Sequence, residues 1–258
     1  MAAAFEQATS VRDQVSPEEW QVRTDLACAY RLVAHFGWDD LLFTHLSARV
    51  PGPEHHFLIN PYDLMFEEIT ASSLVKIDET GNPVMPTPYG VNPAGFTIHS
   101  AVHMAREDAH CVIHLHTPHG QAVSAMRDGL LPLTQTALNV VWDIAYHEYE
   151  GIALDLDERE RIVADLGLCH LMILHNHGTM ALGERVADAF LRAYFLERAC
   201  EAQVHALSAG RDGVLLAPTG AAEKVAAQNA PVATFVSRQL TWPALVRKAD
   251  RIDQGYRM

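Results

Sequence analysis

The sequence has few cysteines and no long apolar run. Four cysteines in 258 residues, none in a Cys-x-x-Cys pair, argue against a disulfide framework and against a zinc site built from thiolates. No apolar stretch approaches the roughly 18 residues that a membrane span requires. Residues 1–12 also lack the basic and apolar regions of a signal peptide. We therefore expect a cytoplasmic protein with reduced cysteines and no membrane partner.

Basic residues are scarce relative to acidic ones. Lysine and arginine number 19 against 32 aspartates and glutamates, which gives a formal net charge of −13. An acidic surface repels phosphate backbones, so we expect no nucleic-acid partner. The length suits one domain with an appendage. We predict a domain over residues 16–210 and a tail over residues 211–258 that packs on this domain or on a neighbouring subunit.

Helix and strand patterns alternate along the chain. Ser16, Pro17 and Glu19 form a helix start with a serine cap and a capping box, and Gly37 is a typical helix stop. Apolar spacing predicts further helices near residues 96–105, 117–126, 157–166, 186–207 and 244–252, and strands near residues 44–50, 57–59, 74–77, 111–116 and 171–174. This order indicates an α/β or mixed α+β class.

Histidine is unusually frequent, with 15 in 258 residues. In the apolar run Cys111–His116, strand alternation places His114 and His116 on one face. Two imidazoles on one strand are a common pair of metal ligands. The segment His175-Asn176-His177-Gly178 follows a second apolar strand, and its glycine permits a sharp turn, so it offers a third donor. A lone buried histidine is more often a hydrogen-bonded core residue, but the two segments together favour a metal site with open coordination positions.

Several segments, taken in order, resemble the class II aldolase/adducin superfamily. The resemblance covers about residues 20–210 and depends on Thr44–Arg49, Phe57–Pro61, Ile69–Ser72, Val75–Asp78, His114–His116 and His175–Gly178. It implies that His114, His116 and His177 bind one divalent ion per subunit, which would be zinc, manganese or iron. It also implies a single three-layer α/β/α domain around a mostly antiparallel central sheet, and a homotetramer with active sites between subunits.

The chain departs from the sugar-phosphate aldolases of that superfamily. Those enzymes carry an acid/base residue four positions before a helix histidine; here the matching pair is Gly95 and His99, and glycine cannot transfer a proton. The small polar loops that bind substrate phosphate are replaced by Thr44-His45, Asn60–Asp63 and Pro93-Ala94. Bulky and acidic side chains suit a phosphate dianion poorly. We expect Gly95 to leave a cavity opposite the histidines, and we expect poor binding of sugar phosphates.

Other titratable and polar residues are candidates for catalysis and binding. Glu148, in a predicted loop over residues 146–151, is the candidate that replaces the missing acid/base. His119 is a candidate proton shuttle at the start of a helix. Both positions also suit a solvated surface. The predicted substrate contacts are His45, Tyr62 and Asn92.

These features favour a metal-dependent lyase of the aldolase or decarboxylase type. It would cleave a carbon–carbon bond of a small unphosphorylated hydroxy, keto or aromatic carboxylate, with the cation stabilising an enolate-like anion. One alternative is a non-haem iron oxygenase that uses the same histidines. A second alternative is a non-catalytic adducin-like binding module.

The tail bears on assembly. Its segment Leu240–Arg247 contains large apolar side chains, which another protein surface must cover. Tyr256 and Arg257, at the extreme end, have enough reach to enter an adjoining subunit's cleft. The alternative is a tail that folds on its own subunit.

Overall fold

A computed structural model describes residues 10–151 and 157–258. Its helices are α1 (Val11–Gln14), α2 (Pro17–Phe36), α3 (Pro93–Ala105), α4 (Pro118–Ser124), α5 (Gln135–Leu138), α6 (Glu158–Leu166), α7 (Val186–Ala206), α8 (Ala221–Asn229), α9 (Ala233–Phe235) and α10 (Trp242–Ile252). Its strands are β1 (His45–Arg49), β2 (Phe57–Ile59), β3 (Val75–Ile77), β4 (Cys111–Leu115), β5 (Ile144–His147), β6 (Leu171–Leu174) and β7 (Gly178–Gly183). None of the described helices is long and apolar enough to cross a membrane.

The strands of the described ranges form one sheet in the order β3-β2-β1-β4-β7-β6-β5. Every pairing is antiparallel except the parallel pair β5 and β6. Strand β4 lies at the centre, between β1 and β7. This arrangement confirms the mostly antiparallel central sheet that the resemblance implies.

Helices cover both faces of the sheet. The larger core joins one face to α2 and α7, and it includes Ile113 and Leu115 of β4. The second core joins the opposite face to α3 and α6, and it includes Val112 of β4. Because side chains alternate along a strand, His114 lies on the same face as Val112. The predicted three-layer α/β/α order is confirmed, and His114 belongs to the layer beneath α3 and α6.

Helix α2 begins and ends where the sequence predicts. The hydroxyl of Ser16 accepts a hydrogen bond from the backbone N–H of Glu19 at 3.1 Å. The Glu19 carboxylate does not complete the capping box; it bonds instead to Arg23 at 2.9 Å and to Lys76 at 2.8 Å. Gly37 ends the helix with a φ of +69°, a conformation that glycine adopts at little cost. The glutamate therefore ties α2 to β3 instead of capping its own helix.

Two strands of the structure are not predicted by the apolar pattern of the sequence. The sequence assigns residues 146–151 to a loop, but Tyr146 and His147 belong to β5, which pairs in parallel with β6. No element is predicted for Gly178–Gly183, yet it forms β7 in the middle of the sheet. Strand β5 has only four residues, and the glycines at both ends of the six-residue β7 weaken its strand pattern in the sequence.

The end of the tail packs on its own chain. The indole N–H of Trp242 donates to Asp25 on α2 at 3.0 Å. The buried Tyr256 donates its hydroxyl hydrogen to Asp250 at 2.8 Å, and its backbone carbonyl accepts from the N–H of Ala71 at 2.8 Å. Arg257 also pairs with Asp250, at 2.8 Å. These contacts hold Tyr256 against its own domain, whereas Arg257 is exposed and bonds within the tail. The reach of Arg257 into a neighbouring subunit's cleft stays a prediction.

Candidate metal centre

Three histidines from two strand ends meet on the α3 side of the sheet. His114 is the fourth residue of β4, and His116 follows the strand directly. Their Nε2 atoms are 3.1 Å apart. His177 lies in the turn between β6 and β7, and its ring centroid is 4.8 Å from each of the other two rings. One nitrogen from each ring can be chosen so that all three lie within 4.8 Å of one another.

The backbone of the β6–β7 turn brings His177 close to β4. Asn176 adopts a left-handed φ of +57°, which asparagine tolerates better than most residues. A Cβ atom at Gly178 would lie 2.5 Å from the carbonyl oxygen of Leu115 and 3.0 Å from the His116 ring. Such contacts are too short, so only glycine fits here. The backbone at Gly178 therefore approaches β4 more closely than any residue with a side chain would allow.

Hydrogen bonds orient two of the imidazoles. Nδ1 of His114 lies 3.1 Å from the carbonyl oxygen of Thr179. Nδ1 of His116 lies 3.0 Å from a carboxylate oxygen of Asp40. Because both partners accept, each Nδ1 carries a hydrogen, and Nε2 is the nitrogen of each ring that is left to bind an ion. A partner on the second nitrogen is the usual way that a protein fixes a metal-binding histidine.

The triad fits a divalent ion. Two imidazoles bound at about 2.0–2.1 Å to one tetrahedral ion place their nitrogens roughly 3.4 Å apart, close to the 3.1 Å between His114 and His116. Burial lowers the pKa of His177 to about 4 and holds the pKa of His114 well below its ordinary value. Neutral imidazoles are the form that binds metal. Three histidine ligands leave at least one coordination position open, as catalytic sites do.

The space beside Gly95 is filled. A Cβ atom at Gly95 would lie 2.9 Å from three atoms of the His45 ring, so the imidazole of His45 occupies the room that a side chain at 95 would need. The predicted cavity opposite the histidines is therefore wrong. His45 is buried, and its ring centroid lies 5.4 Å from that of His114. Burial, with a smaller effect of His116 and His177, lowers the pKa of His45 to about 3, so its ring is neutral.

The two predicted catalytic residues lie in different places. Glu148 is exposed, 4.0 Å from Nε2 of His175, and shares a small cleft with His177. Nδ1 of His175 lies 3.1 Å from the carbonyl oxygen of Ser124, and the ring stacks on Tyr146. His175 is held by these contacts, and it is not one of the three histidines whose donor atoms lie within 4.8 Å of one another.

His119 pairs with an acid on helix α7. Its Nδ1 lies 3.0 Å from Oε1 of Glu197, and the hydroxyl of Thr117 donates to the other carboxylate oxygen. Burial raises the pKa of Glu197. His119 and Glu197 line a cavity of about 210 Å³ with Trp38 and Tyr194. His119 therefore belongs to the α7 side of the sheet, opposite the face of His114.

The remaining predicted substrate contacts lie on connections between elements. Tyr62 is exposed shortly after β2, and its backbone N–H donates to the carbonyl of Gly90 at 3.0 Å. Asn92 is half-buried and directly precedes α3, the helix that carries Gly95 beside His45. Of the three predicted contacts, His45 is the one that packs on a triad ring.

Sequence reasoning missed two residues that support the site. Asp40 lies in the α2–β1 connection, 76 residues before the histidine that it orients, and no local pattern marks it. Ser47 lies two residues after His45 on β1, and strand alternation offers a signal for it. Its hydroxyl contacts both His99 and His103, at 2.6 Å and 2.7 Å, so these two histidines are not at the helix surface but bonded in the core.

Sequence comparisons identify relatives of two kinds. The profile of the Class II Aldolase and Adducin N-terminal domain matches residues 24–204. A protein of Caulobacter vibrioides, provisionally named an aldolase class 2 protein, is 60% identical over 247 residues, with 96% of both chains covered. Alpha-adducin of Mus musculus is 47% identical over 204 residues, which are 77% of this chain and 28% of the adducin.

Solved structures share the fold. An aldolase II superfamily protein from Pseudomonas syringae has a TM-score of 0.91 and 50% identity, over 97% of this chain and 100% of its own. An L-fuculose 1-phosphate aldolase from Glaciozyma antarctica has a TM-score of 0.82 and 26% identity, over 93% of each chain. The similarity extends over the whole sheet and both helical layers.

Proposed function

The chain belongs to the class II aldolase and adducin superfamily, and from this we propose that it is a metal-dependent lyase. The proposed reaction cleaves a carbon–carbon bond, by retro-aldol cleavage or decarboxylation, in an unphosphorylated hydroxy, keto or aromatic carboxylate. The observation that carries the proposal is the triad of His114, His116 and His177. Its donor atoms lie within 4.8 Å of one another, and its two strand histidines are oriented through their second nitrogens.

When bound, a divalent ion of zinc, manganese or iron supplies Lewis-acid stabilisation of the enolate-like anion that either cleavage produces. The protein's own part is to fix three imidazoles and to leave the remaining coordination positions to the substrate. His45 lies against the triad and is placed to contact the substrate. Tyr62 and Asn92 remain proposed contacts from the surrounding connections.

The acid/base step needs a residue other than Gly95. Glu148 suits this role because it shares a cleft with His177 and is exposed, so it exchanges protons with water. His119 suits a proton shuttle less directly, since its Nδ1 faces Glu197 on the α7 side of the sheet. We keep both as proposed catalytic residues, with Glu148 first.

The proposed substrate carries no phosphate. An anion site is usually built from backbone N–H groups and small or basic residues, whereas the corresponding stretches here contain His45, Tyr62 and Asp63.

The test is a metal analysis followed by a substrate screen. Purified protein is analysed for zinc, manganese and iron, reloaded with each, and assayed without oxygen on hydroxy, keto and aromatic carboxylates. A lyase releases its products anaerobically. Turnover only with Fe(II) and oxygen would instead identify an oxygenase on the same histidines.

An adducin-like binding module is the second candidate, and the 47% identity with alpha-adducin favours it. It needs neither an ion nor a substrate. Protein without bound divalent metal, which also fails to take up metal when reloaded, would support the binding module and contradict the lyase.

We further propose a homotetramer in a reducing cytoplasm. All four cysteines are free in the structure. Exposed apolar side chains on the tail, among them Leu215 and Phe235, offer a surface for contacts between subunits.

A further inference from the structure

A further cavity lies on the α7 face of the sheet, away from the three histidines. It has a volume of about 280 Å³ and is bordered by α7, by α8 and α9 of the tail, and by the connection that leads into β5. Leu171, the first residue of β6, lines this cavity and belongs to the core on the α7 face. His177 follows the other end of the same strand. The cavity and the candidate metal centre are therefore separated by the length of β6 and lie on opposite sides of the sheet.

The wall of this cavity is largely apolar. Apolar side chains on it come from α7, from the tail and from the connection before β5, and they include Val140, Trp142, Leu191, Phe195, Val232 and Val236. Trp142 is 49% exposed, although its ring is large. An exposed indole offers a face on which a flat ring can stack. The volume lies near the lower end of the range for small-molecule sites, which begins at about 300 Å³. Size and lining therefore suit a small aromatic ligand.

One cation of the cavity wall lacks a counter-ion. Arg192 on α7 is half-buried, and its Nη1 donates to the carbonyl oxygen of Leu182 at 2.7 Å. Within the described part of the chain this is the guanidinium's one hydrogen bond, and no carboxylate there forms an ion pair with it. Burial lowers the pKa of Arg192, because its surroundings solvate the charge poorly. A guanidinium has five N–H donors and keeps its charge in proteins, so most of its donors are free for a ligand.

Two acids on the wall are paired with a different arginine. Asp188 and Glu184 contact Arg238 of the tail at 2.6 Å and 2.7 Å. Asp188 also accepts a hydrogen bond from the hydroxyl of Ser237 at 2.5 Å. These contacts fasten the tail to α7 beside the cavity. Both carboxylates attract Arg192 through space, but neither forms an ion pair with it.

The other two acids on the wall lie before β5 and β4. Asp143 is 3.0 Å from Nδ1 of His170, and Asp108 is 2.8 Å from the guanidinium of Arg106. Every carboxylate that lines the described wall is thus bonded to another basic residue, and the charge of Arg192 is left for an incoming group. The same four acids restrict that group, because they repel a dianion more strongly than a monoanion.

We propose that this cavity binds a small monocarboxylate that carries an aromatic ring. The carboxylate accepts hydrogen bonds from the fork of Arg192, a pairing that the planar guanidinium favours. The ring lies against the apolar wall and stacks on Trp142. Binding supplies the counter-ion that the half-buried guanidinium lacks, so the site should select an acid over a neutral ring of the same shape. The three histidines take no part, and the inference is independent of the proposed lyase reaction.

Calorimetry on the full-length protein with two probes tests the site. The probes are indole-3-acetate and indole-3-acetamide, which share a ring and differ in charge, and the measured quantity is the ratio of the amide's Kd to the acid's Kd. We expect the acid to bind with a Kd of about 1 mM or lower, an ordinary value for so small a ligand. The amide should bind about tenfold more weakly, since it cannot form the charged pair. Equal affinity for the two probes, or no binding of the acid at about 10 mM, would overturn the proposal.

Four variants locate the bound probe. Arg192→Gln should bring the ratio close to one, and Trp142→Leu, at an exposed position, should weaken both probes alike by removing the stacking surface. Arg198→Gln is the matched control, because Arg198 is an exposed arginine of the same helix that pairs with Glu201. It should keep the ratio, and so should His177→Ala, which disables the metal centre. An unchanged ratio in Arg192→Gln, or its loss in His177→Ala, would show that the acid binds elsewhere and would refute the inference.

Discussion

The imidazole of His45 occupies the space into which a side chain at position 95 would grow. A Cβ atom at Gly95 would lie 2.9 Å from three ring atoms of His45. The glycine on α3 and the histidine on β1 are therefore coupled. The effect of a substitution at one position on the stability of the protein should depend on which residue stands at the other.

We expect Gly95→Ala to destabilise the protein by about 1–3 kcal/mol, as overpacking of a buried site does. In a His45→Ala background the ring is gone, and the same change should be neutral or stabilising by up to about 1 kcal/mol, because alanine favours a helix over glycine. Urea unfolding of the four proteins of this cycle, each metal-free, measures the coupling. Equal effects of Gly95→Ala in both backgrounds would show that the ring does not fill this space.

The triad predicts a hierarchy of metal loss. His114→Ala, His116→Ala and His177→Ala should each sharply reduce bound divalent metal, because each removes one of three donors. His175→Ala is the matched control: its ring faces Ser124 and Tyr146, so metal content should fall less. Elemental analysis after dialysis measures the content. Full occupancy in His177→Ala with loss in His175→Ala would show that the other histidine of the turn is the ligand.

Asp40 should tune the affinity for the ion without binding it. Its carboxylate accepts from Nδ1 of His116 at 3.0 Å. Asp40→Asn should weaken metal binding by about 10–100-fold, the usual effect of losing such a partner. Asp39→Asn removes the same charge from the adjacent position and should have little effect. Competition with a chelator measures the metal affinity of both variants. Equal weakening of metal binding in the two would show that Asp40 acts through its negative charge and not through its hydrogen bond to His116.

Sugar phosphates should be poor substrates. In the stretches that replace the phosphate-binding loops, His45 is buried, and Tyr62 and Asp63 lie at the surface. Together these side chains do not form a good set of hydrogen-bond donors for a phosphate. Assays with fuculose, rhamnulose and ribulose phosphates check this expectation. A kcat/KM of about 10⁴ M⁻¹s⁻¹ or more with any of them, which is within the ordinary range for enzymes, would contradict it.

Light scattering should find a homotetramer at micromolar concentration. The tail leaves Leu215, Phe235 and Leu240 at 89%, 57% and 53% exposure, which is a surface that association would cover. The double variant Leu215→Asp and Phe235→Asp should weaken assembly. Truncation of Tyr256 is a poor test, because that side chain is fully buried in its own chain. A wild-type monomer would contradict the prediction.

Local patterns predict those parts of the site that lie on regular elements. Alternation on β4 places His114 and His116 together, and the serine and glycine signals bound α2 correctly. Sequence patterns do not predict those features of the site that are determined by tertiary contacts. The sequence predicts an empty space at Gly95, because the imidazole ring that fills it belongs to a strand 50 positions earlier in the chain. Asp40 and the β7 strand are missed for the same reason: a loop acid and a glycine-bounded strand acquire their roles only through their neighbours in the sheet.

The placement of the triad has an evolutionary consequence. His114 sits on the central strand, hydrogen-bonded to β1 on one side and to β7 on the other, whereas Tyr62, Asn92 and Glu148 lie on connections. Substitutions on the connections need not disturb the sheet, so the surroundings of the three histidines can change while the strands that carry them stay the same. Divergence of catalyst and scaffold within one superfamily then requires no change of architecture.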